Sequence, residues 1–150
     1  MDQKPPSSTS GTRRRNVAVI LAGGVGARMG LDIPKQFVPI AGRTSLEHTV
    51  ELFEHSGLVD EIIVMMASGY IPKARELLRH SGADSTPDGK AAARPSKVTG
   101  IYPGGADRSE TSCRALEAIA DKDANVIFHD AVRPLLDDDI ITACIRALDD

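Results

Sequence analysis

The chain has 150 residues, of which 41% are hydrophobic and 26% charged, as is usual for one globular domain. Its net charge of −3 argues against a general nucleic-acid binder, which needs an excess of positive charge. The longest apolar run near the start, Val17 to Ala22, is far too short for a membrane helix, and no secretory signal is recognisable. The sequence therefore predicts a cytoplasmic protein.

The first third of the chain changes from a polar tail to a regular pattern. Residues 1–15 are rich in Pro, Ser and Arg without periodicity and predict a disordered tail, which leaves residues 16–150 as the domain. Val17 to Ala22 is a continuous apolar run, typical of a strand buried on both faces of a parallel sheet. Further on, the T-S-L-E sequence of residues 44–47 predicts a capping box that opens a helix, with Gly57 as its end.

The remaining two thirds repeat the alternation of strand and helix. This alternation predicts an α/β fold with an open, mainly parallel sheet and helices on both faces, in which ligands bind at the carboxyl ends of the strands. The predicted elements are a strand at 61–67, a helix at 72–80, a mobile surface loop at 83–97, a strand at 98–102 interrupted at Gly100, a helix opened by Asp107 to Glu110, a strand at 125–129, and a helix whose start carries Asp137 to Asp139.

The cysteines and three of the histidines have no pattern that indicates chemistry. Cys113 and Cys144 are too few for a metal or disulfide framework, and their apolar neighbours at helical spacing predict buried, inert thiols. His48, His55 and His80 fall on predicted helices without partners and are interpreted as surface residues.

The segment from Leu21 to Lys35 is the first that indicates chemistry. Its glycines allow the backbone to approach a ligand and to point N–H groups at phosphate oxygens, while Arg28 and Lys35 add positive charge. A dinucleotide-binding turn is disfavoured because the third glycine of G-x-G-x-x-G falls on Met29, and no Gly-Lys-Ser/Thr follows for a Walker A loop. The loop instead resembles that of nucleotidyltransferases.

Two further segments follow later strands. Residues 104–111 (GGADRSET) read as a helix N-cap, and free N–H groups at such a start could also hold an anion or a base edge. Residues 129–134 (HDAVRP) place Asp130 at a strand end, where a single carboxylate suits Mg²⁺ together with substrate phosphates. A structural Asp–Arg pair is the alternative interpretation, and His129 either orients Asp130 or packs.

Together the segments resemble one family closely. L-A-G-G-x-G-x-R-M, P-K-Q-F, G-G-x-x-R-S-E-T and H-D-A-V-R-P occur in this order, from about Val17 to the end of the chain. They are similar to those of the cytidylyltransferases that include the 2-C-methyl-D-erythritol 4-phosphate and ribitol-5-phosphate enzymes, although the first motif is shared with a wider superfamily. The resemblance implies the Rossmann-like fold of the nucleotide-diphospho-sugar transferases.

The resemblance also implies a role for each matching residue. Arg28 and Lys35 would act on the transition state, Asp130 would bind the metal, and Arg133 would lie close by as support. Ala106 stands where the family often has an acidic residue. Nucleotide contacts would come from Ala22, Gly23, Gly24 and Gly26 around the triphosphate, and from Gly104, Gly105, Arg108 and Thr111 around the cytosine and ribose.

The implied reaction is the transfer of CMP from CTP to a polyol phosphate with Mg²⁺ as the cofactor. The motif details lean towards D-ribitol 5-phosphate as the acceptor, with 2-C-methyl-D-erythritol 4-phosphate of isoprenoid biosynthesis as the alternative. Family members are homodimers and longer than this chain, so we expect the C-terminal part, including the dimer-forming arm, to be missing. A CTP-binding remnant without turnover is the alternative from another class.

Overall fold

The computed structural model of the chain describes residues 12–24, 33–80 and 95–150. Four parallel strands form the main sheet in the order β5-β4-β1-β6, and a two-stranded antiparallel hairpin, β2-β3, lies apart from it. The strands are β1 (Asn16–Ala22), β2 (Pro39–Ile40), β3 (Arg43–Thr44), β4 (Glu61–Met66), β5 (Val98–Pro103) and β6 (Asn125–Asp130).

Helices cover both faces of the sheet, as the sequence predicts. The helices are α1 (Ser45–His55), α2 (Ile71–Leu77), α3 (Arg108–Ala118) and α4 (Asp138–Asp149), with short 3₁₀ turns at Lys35–Phe37, Ser68–Tyr70 and Leu78–His80. Side chains of α1, α2 and α4 share one core with alternate residues of β1, whereas Ala115 of α3 packs with the other face. Strand β1 is therefore buried from both sides.

The helix starts follow from local sequence. Thr44 caps α1 in a complete capping box, because its hydroxyl accepts from the Glu47 N–H while the Glu47 carboxylate accepts from the Thr44 N–H. Asp107 caps α3 by accepting from the Glu110 N–H, and Asp137 caps α4 in a similar way. The predicted D-x-x-E and acidic starts are thus confirmed.

A buried polar contact ties the strands together at their amino ends. Asn16 and Asn125 are both buried, and the Asn125 side-chain amide donates to Asn16 Oδ1 at 2.9 Å and to Asp149 Oδ1 at 2.8 Å. Asn16 in turn donates through its side chain to the Leu58 carbonyl and through its backbone to Asp60. Each buried amide therefore has partners, which offsets the cost of removing it from water.

Several details differ from the sequence prediction. Cys113 and Cys144 are exposed rather than buried, because α3 and α4 turn other positions, such as Ala115 and Ile141, into the cores. Strand β5 runs on through Gly100, which pairs with Ile63 of β4, so the predicted interruption at this glycine is wrong. The register shift lies just before it, between Val98 and Gly100.

The ends of the predicted tail and loop are held by contacts. Arg13 and Arg15, at the end of the predicted tail, form ion pairs with Asp60 and Glu61. Residues 1–11 of that tail lie outside the described residues. Residues 81–94, which include most of the predicted surface loop, also lie outside them, and Ser96 at its end donates to Glu54. In the described part of the chain no helix is long and apolar enough to cross a membrane.

Candidate functional site

A cleft of about 520 Å³ lies at the carboxyl ends of the strands. Strand β1 has β4 on one side and β6 on the other, and chain order reverses between β1 and β6. In open α/β sheets such a reversal is where ligands bind. The cleft is lined by Leu21, Ala22, Gly23, Gly24, Lys35, Gln36, Gly105, Ala106, Asp107, Arg108, Thr111, Asp130 and Val132.

The structure brings the predicted residues together from three separate segments. Ala22, Gly23, Gly24 and Lys35 come from the first segment, Gly105, Arg108 and Thr111 from the second, and Asp130 from the third. Gly104 and Arg133 do not line the cleft, although both are bonded to residues near it. Gly26 and Arg28 lie outside the described residues.

Lys35 occupies the start of a 3₁₀ turn beside the end of β1. The turn is closed by hydrogen bonds from the Phe37 and Val38 N–H groups to the carbonyls of Pro34 and Lys35. Within the described residues the Lys35 side chain makes no ion pair or hydrogen bond, so its positive charge is available to a ligand in the cleft.

Three N–H groups in the loop before α3 donate to neighbouring groups of the chain. The free N–H groups predicted to hold an anion or a base edge are therefore not those of Gly104, Gly105 or Ala106. The N–H groups of Gly104, Gly105 and Ala106 donate to Met66 O (2.8 Å), Thr111 Oγ1 (2.9 Å) and Glu110 Oε2 (2.7 Å).

Glu110 and Arg114 brace this loop from the first two turns of α3. The Glu110 carboxylate accepts from the Ala106 N–H and from Arg114 at 2.6 Å, and Arg114 also donates to the Gly104 carbonyl at 3.0 Å. The backbone hydrogen bond and the guanidinium together hold the pKa of Glu110 below its usual value of 4.5. A side chain at Gly105 would collide with Glu110, which explains the glycine.

Asp130 is paired with two arginines. Its Oδ1 accepts from Arg108 at 2.8 Å and its Oδ2 lies 3.1 Å from Nε of Arg133. The Asp–Arg pair that the sequence offered as an alternative is therefore present. Both arginine side chains are largely exposed, which leaves them free to exchange a carboxylate for a phosphate.

The turn that follows Asp130 is anchored to α1. Ser45 and Thr49 both donate their hydroxyls to the buried Ala131 carbonyl at 2.9 Å, while the Ala131 N–H donates to the Leu21 carbonyl of β1. His129 contacts the Arg133 carbonyl at 2.8 Å, so it supports the backbone of the turn and not the Asp130 carboxylate.

A second cleft of similar volume, about 550 Å³, lies between α1, the β2-β3 hairpin and the start of α4. Its lining includes Ile40, Leu52, Pro134 and the fully exposed Leu135, and no lysine or arginine is among the described residues that line it. Phosphate binding needs such a cation or a set of free N–H groups, so the first cleft is the better candidate site for a nucleotide.

The parallel sheet with a Gly-rich loop end, a lysine and an Asp–Arg cluster at its switch point defines a Rossmann-like protein of the nucleotidyltransferase class. Residues 16–150 match the family described as IspD, 2-C-methyl-D-erythritol 4-phosphate cytidylyltransferase. The chain belongs to this family, which confirms the resemblance stated from the sequence.

Named relatives include proteins acting on different acceptors. The bifunctional ribulose 5-phosphate reductase/CDP-ribitol pyrophosphorylase Bcs1 of Haemophilus influenzae is 42% identical over 91% of this chain and 27% of its own length. The 2-C-methyl-D-erythritol 4-phosphate cytidylyltransferase of Thermobifida fusca is also 42% identical, over 91% of this chain and 51% of its own. A ribitol-5-phosphate cytidylyltransferase of Streptococcus agalactiae is 31% identical, over 89% and 52%.

Solved structures agree on the fold. The 4-diphosphocytidyl-2C-methyl-D-erythritol synthase of Anaerococcus prevotii has a TM-score of 0.68 at 23% identity, covering 90% of this chain and 51% of that one. The Francisella tularensis 2-C-methyl-D-erythritol 4-phosphate cytidylyltransferase has a TM-score of 0.59 at 26% identity, covering 85% and 49%. This chain spans about half the length of most of these relatives.

Proposed function

We propose that this chain carries the CTP-binding half of a cytidylyltransferase, which transfers CMP from CTP to a polyol phosphate and releases pyrophosphate. The observation that carries the proposal is the convergence of Ala22 to Gly24, Lys35, Arg108 and Asp130 on one cleft. The family membership and the names of the relatives support the same reaction.

The proposed chemistry is an in-line displacement. An oxygen of the acceptor's phosphate attacks the α-phosphorus of CTP, the bond to the β-phosphate oxygen breaks, and pyrophosphate leaves. Lys35 neutralises the charge that develops on the phosphates, and Arg28 is assigned the same role on its motif position alone. Positioning and charge stabilisation of this kind account for most of the rate in phosphoryl-type transfers.

We assign Mg²⁺ to the nucleotide and not to a preformed protein site. The described residues contain no group of three His, Cys, Asp or Glu side chains that could hold a metal ion, and Asp130 is a single carboxylate already paired with Arg108 and Arg133. One carboxylate plus phosphate oxygens is a usual Mg²⁺ environment, so Asp130 fits as one ligand once an arginine has moved. Bound Mg²⁺ would stabilise the negative charge on the phosphates and the leaving pyrophosphate.

We propose D-ribitol 5-phosphate as the acceptor because the L-A-G-G, P-K-Q-F and R-S-E-T motifs are more similar to those of the ribitol-phosphate enzymes. A relative named for CDP-ribitol and one named for the methylerythritol reaction are both 42% identical, so 2-C-methyl-D-erythritol 4-phosphate stays as the second candidate.

Pyrophosphate release from CTP, Mg²⁺ and each acceptor in turn tests the proposal. Faster release with ribitol 5-phosphate than with methylerythritol 4-phosphate is expected, and the reverse order would exchange the two candidates. CTP binding without release with either acceptor would support a non-catalytic remnant, and absence of CTP binding would refute the proposal as a whole.

A further inference from the structure

Gln36 is a buried side chain that joins the two ends of the Gly-rich segment. It is only 2% exposed, and its Nε2 donates to the carbonyl of Ala22 at 2.8 Å. Ala22 is the last residue of β1, and Gln36 directly follows Lys35. This hydrogen bond therefore joins the 3₁₀ turn that carries Lys35 to the end of β1.

The turn around Gln36 is held on its other side as well. Phe37 is buried and packs its ring 5.5 Å from that of Tyr70, while Lys73 lies 4.5 Å above the Phe37 ring. Phe37 thus fixes the turn to α2, whereas Gln36 fixes it to β1. Lys35 has no such anchor, because its side chain makes no bond within the described residues.

We propose that Gln36 is a positioning residue, which sets the place of Lys35 relative to the end of β1 by holding the Ala22 carbonyl. This inference rests on the proposed function for its catalytic consequence, but the contact between the turn and the end of β1 is a property of the chain alone. A residue whose backbone is already held in place loses less conformational freedom when it binds a ligand. Gln36 therefore preorganises both the lysine and the first glycines.

Gln36→Met tests this, because methionine fills a similar volume and cannot donate a hydrogen bond. Asn125→Leu is the matched control. It also removes a hydrogen bond of a buried side-chain amide, but Asn125 lies at the amino ends of the strands, away from the cleft.

The first measurement is amide hydrogen exchange, which needs no activity. In Gln36→Met the Phe37 and Val38 amides, which close the 3₁₀ turn, should exchange at least roughly tenfold faster, while the β1 amides keep their rates. Asn125→Leu should leave the two turn amides unchanged. Unchanged exchange at Phe37 and Val38 in Gln36→Met would overturn the inference.

The second measurement is CTP turnover in a double-mutant cycle with Lys35→Ala. Gln36→Met should lower kcat by about 100-fold with little change in the KM for CTP, because a displacement of about 1 Å costs that much at a reacting centre. In the Lys35→Ala background the same change should cost less than about twofold, since its effect acts through the lysine. An equal loss in both backgrounds, or normal kcat in Gln36→Met, would overturn the positioning role.

The two measurements separate this inference from the proposed function. If the unmodified chain neither binds nor turns over CTP, the proposed function fails, and the exchange rates alone decide whether Gln36 holds the turn to the end of β1.

Discussion

The positive side chains around the cleft differ in how they are held. Arg108 and Arg133 are paired with Asp130, and Arg114 is paired with Glu110. Lys35 is the exception in the described part of the cleft, because no carboxylate lies within ion-pair distance of it. An unpaired cation at the edge of a cleft is the group that a phosphate can bind without first breaking a contact.

Replacing Lys35 by alanine should therefore lower CTP turnover by a factor of about 100 or more, while the fold is retained. Lys122 is the control lysine, since its ammonium group donates to carbonyls near the end of α3 and it does not line the cleft. Steady-state kinetics and thermal unfolding of both alanine variants check this. Near-normal turnover in Lys35→Ala would contradict the role assigned to this lysine.

Glu110 should make stability depend on pH. Because its pKa is lower in the folded chain than its usual 4.5, it contributes stability above that value and loses the contribution as pH falls through the folded pKa. The difference in unfolding free energy between the parent chain and Glu110→Gln should thus shrink on acidification below about pH 4.5. Urea unfolding of the two proteins over a series of pH values measures this, and a difference that stays constant on acidification would contradict it.

Sequence and structure agree best where a residue's role is local or belongs to a motif. Lys35, Arg108 and Asp130 lie at the cleft as predicted, because Asp130 ends a strand and the other two follow strands whose carboxyl ends face the cleft. The roles of Gln36 and Arg114 were missed. Their partners, the Ala22 and Gly104 carbonyls, are 14 and 10 residues away, and a contact at that separation leaves no periodic signal in the sequence.

At the scale of elements, α1 connects the fold to the site. Its start was predictable, since the capping box uses residues three apart, Thr44 and Glu47. Its second function was not, because Ser45 and Thr49 reach the Ala131 carbonyl across 86 and 82 residues. Helix α1 thereby fixes the position of the turn that follows Asp130.

The two hydroxyls should substitute for one another in part. Ser45→Ala or Thr49→Val alone leaves one donor on the buried carbonyl and should cost about 0.5–1.5 kcal/mol of unfolding free energy. The double variant leaves the carbonyl without a donor and should lose more than the sum, by a further 1–3 kcal/mol or so. Urea unfolding of the three variants measures this, and simple additivity would argue against a shared acceptor.

At the scale of the whole molecule, one sheet joins two cores. Ile62 and Ile63 are neighbours on β4, both essentially fully buried, and they point into opposite cores. The alternation of strand and helix predicted this arrangement, because a parallel sheet must be covered on both faces. The order of the strands in the sheet could not be predicted from the alternation of strand and helix, since that pattern does not say which strands are hydrogen-bonded to each other.

Ile62→Ala and Ile63→Ala should each destabilise the chain by about 2–5 kcal/mol. Since both cores share β1 and β4, each variant should still unfold in one transition when followed by circular dichroism and by a probe on either face. Separate transitions for the two faces in either variant would show that the cores are independent.

The Asn16–Asn125 contact has a practical consequence for anyone who handles this protein. It lies at the amino ends of the strands, and the cleft lies at the carboxyl ends. The chain enters the fold along that same side, where Arg13 and Arg15 are bound to Asp60 and Glu61. A purification handle or a linker to a solid support fused before residue 12 would therefore join the molecule on the side away from the cleft, whereas a fluorophore that is to sense the ligand belongs on the opposite rim.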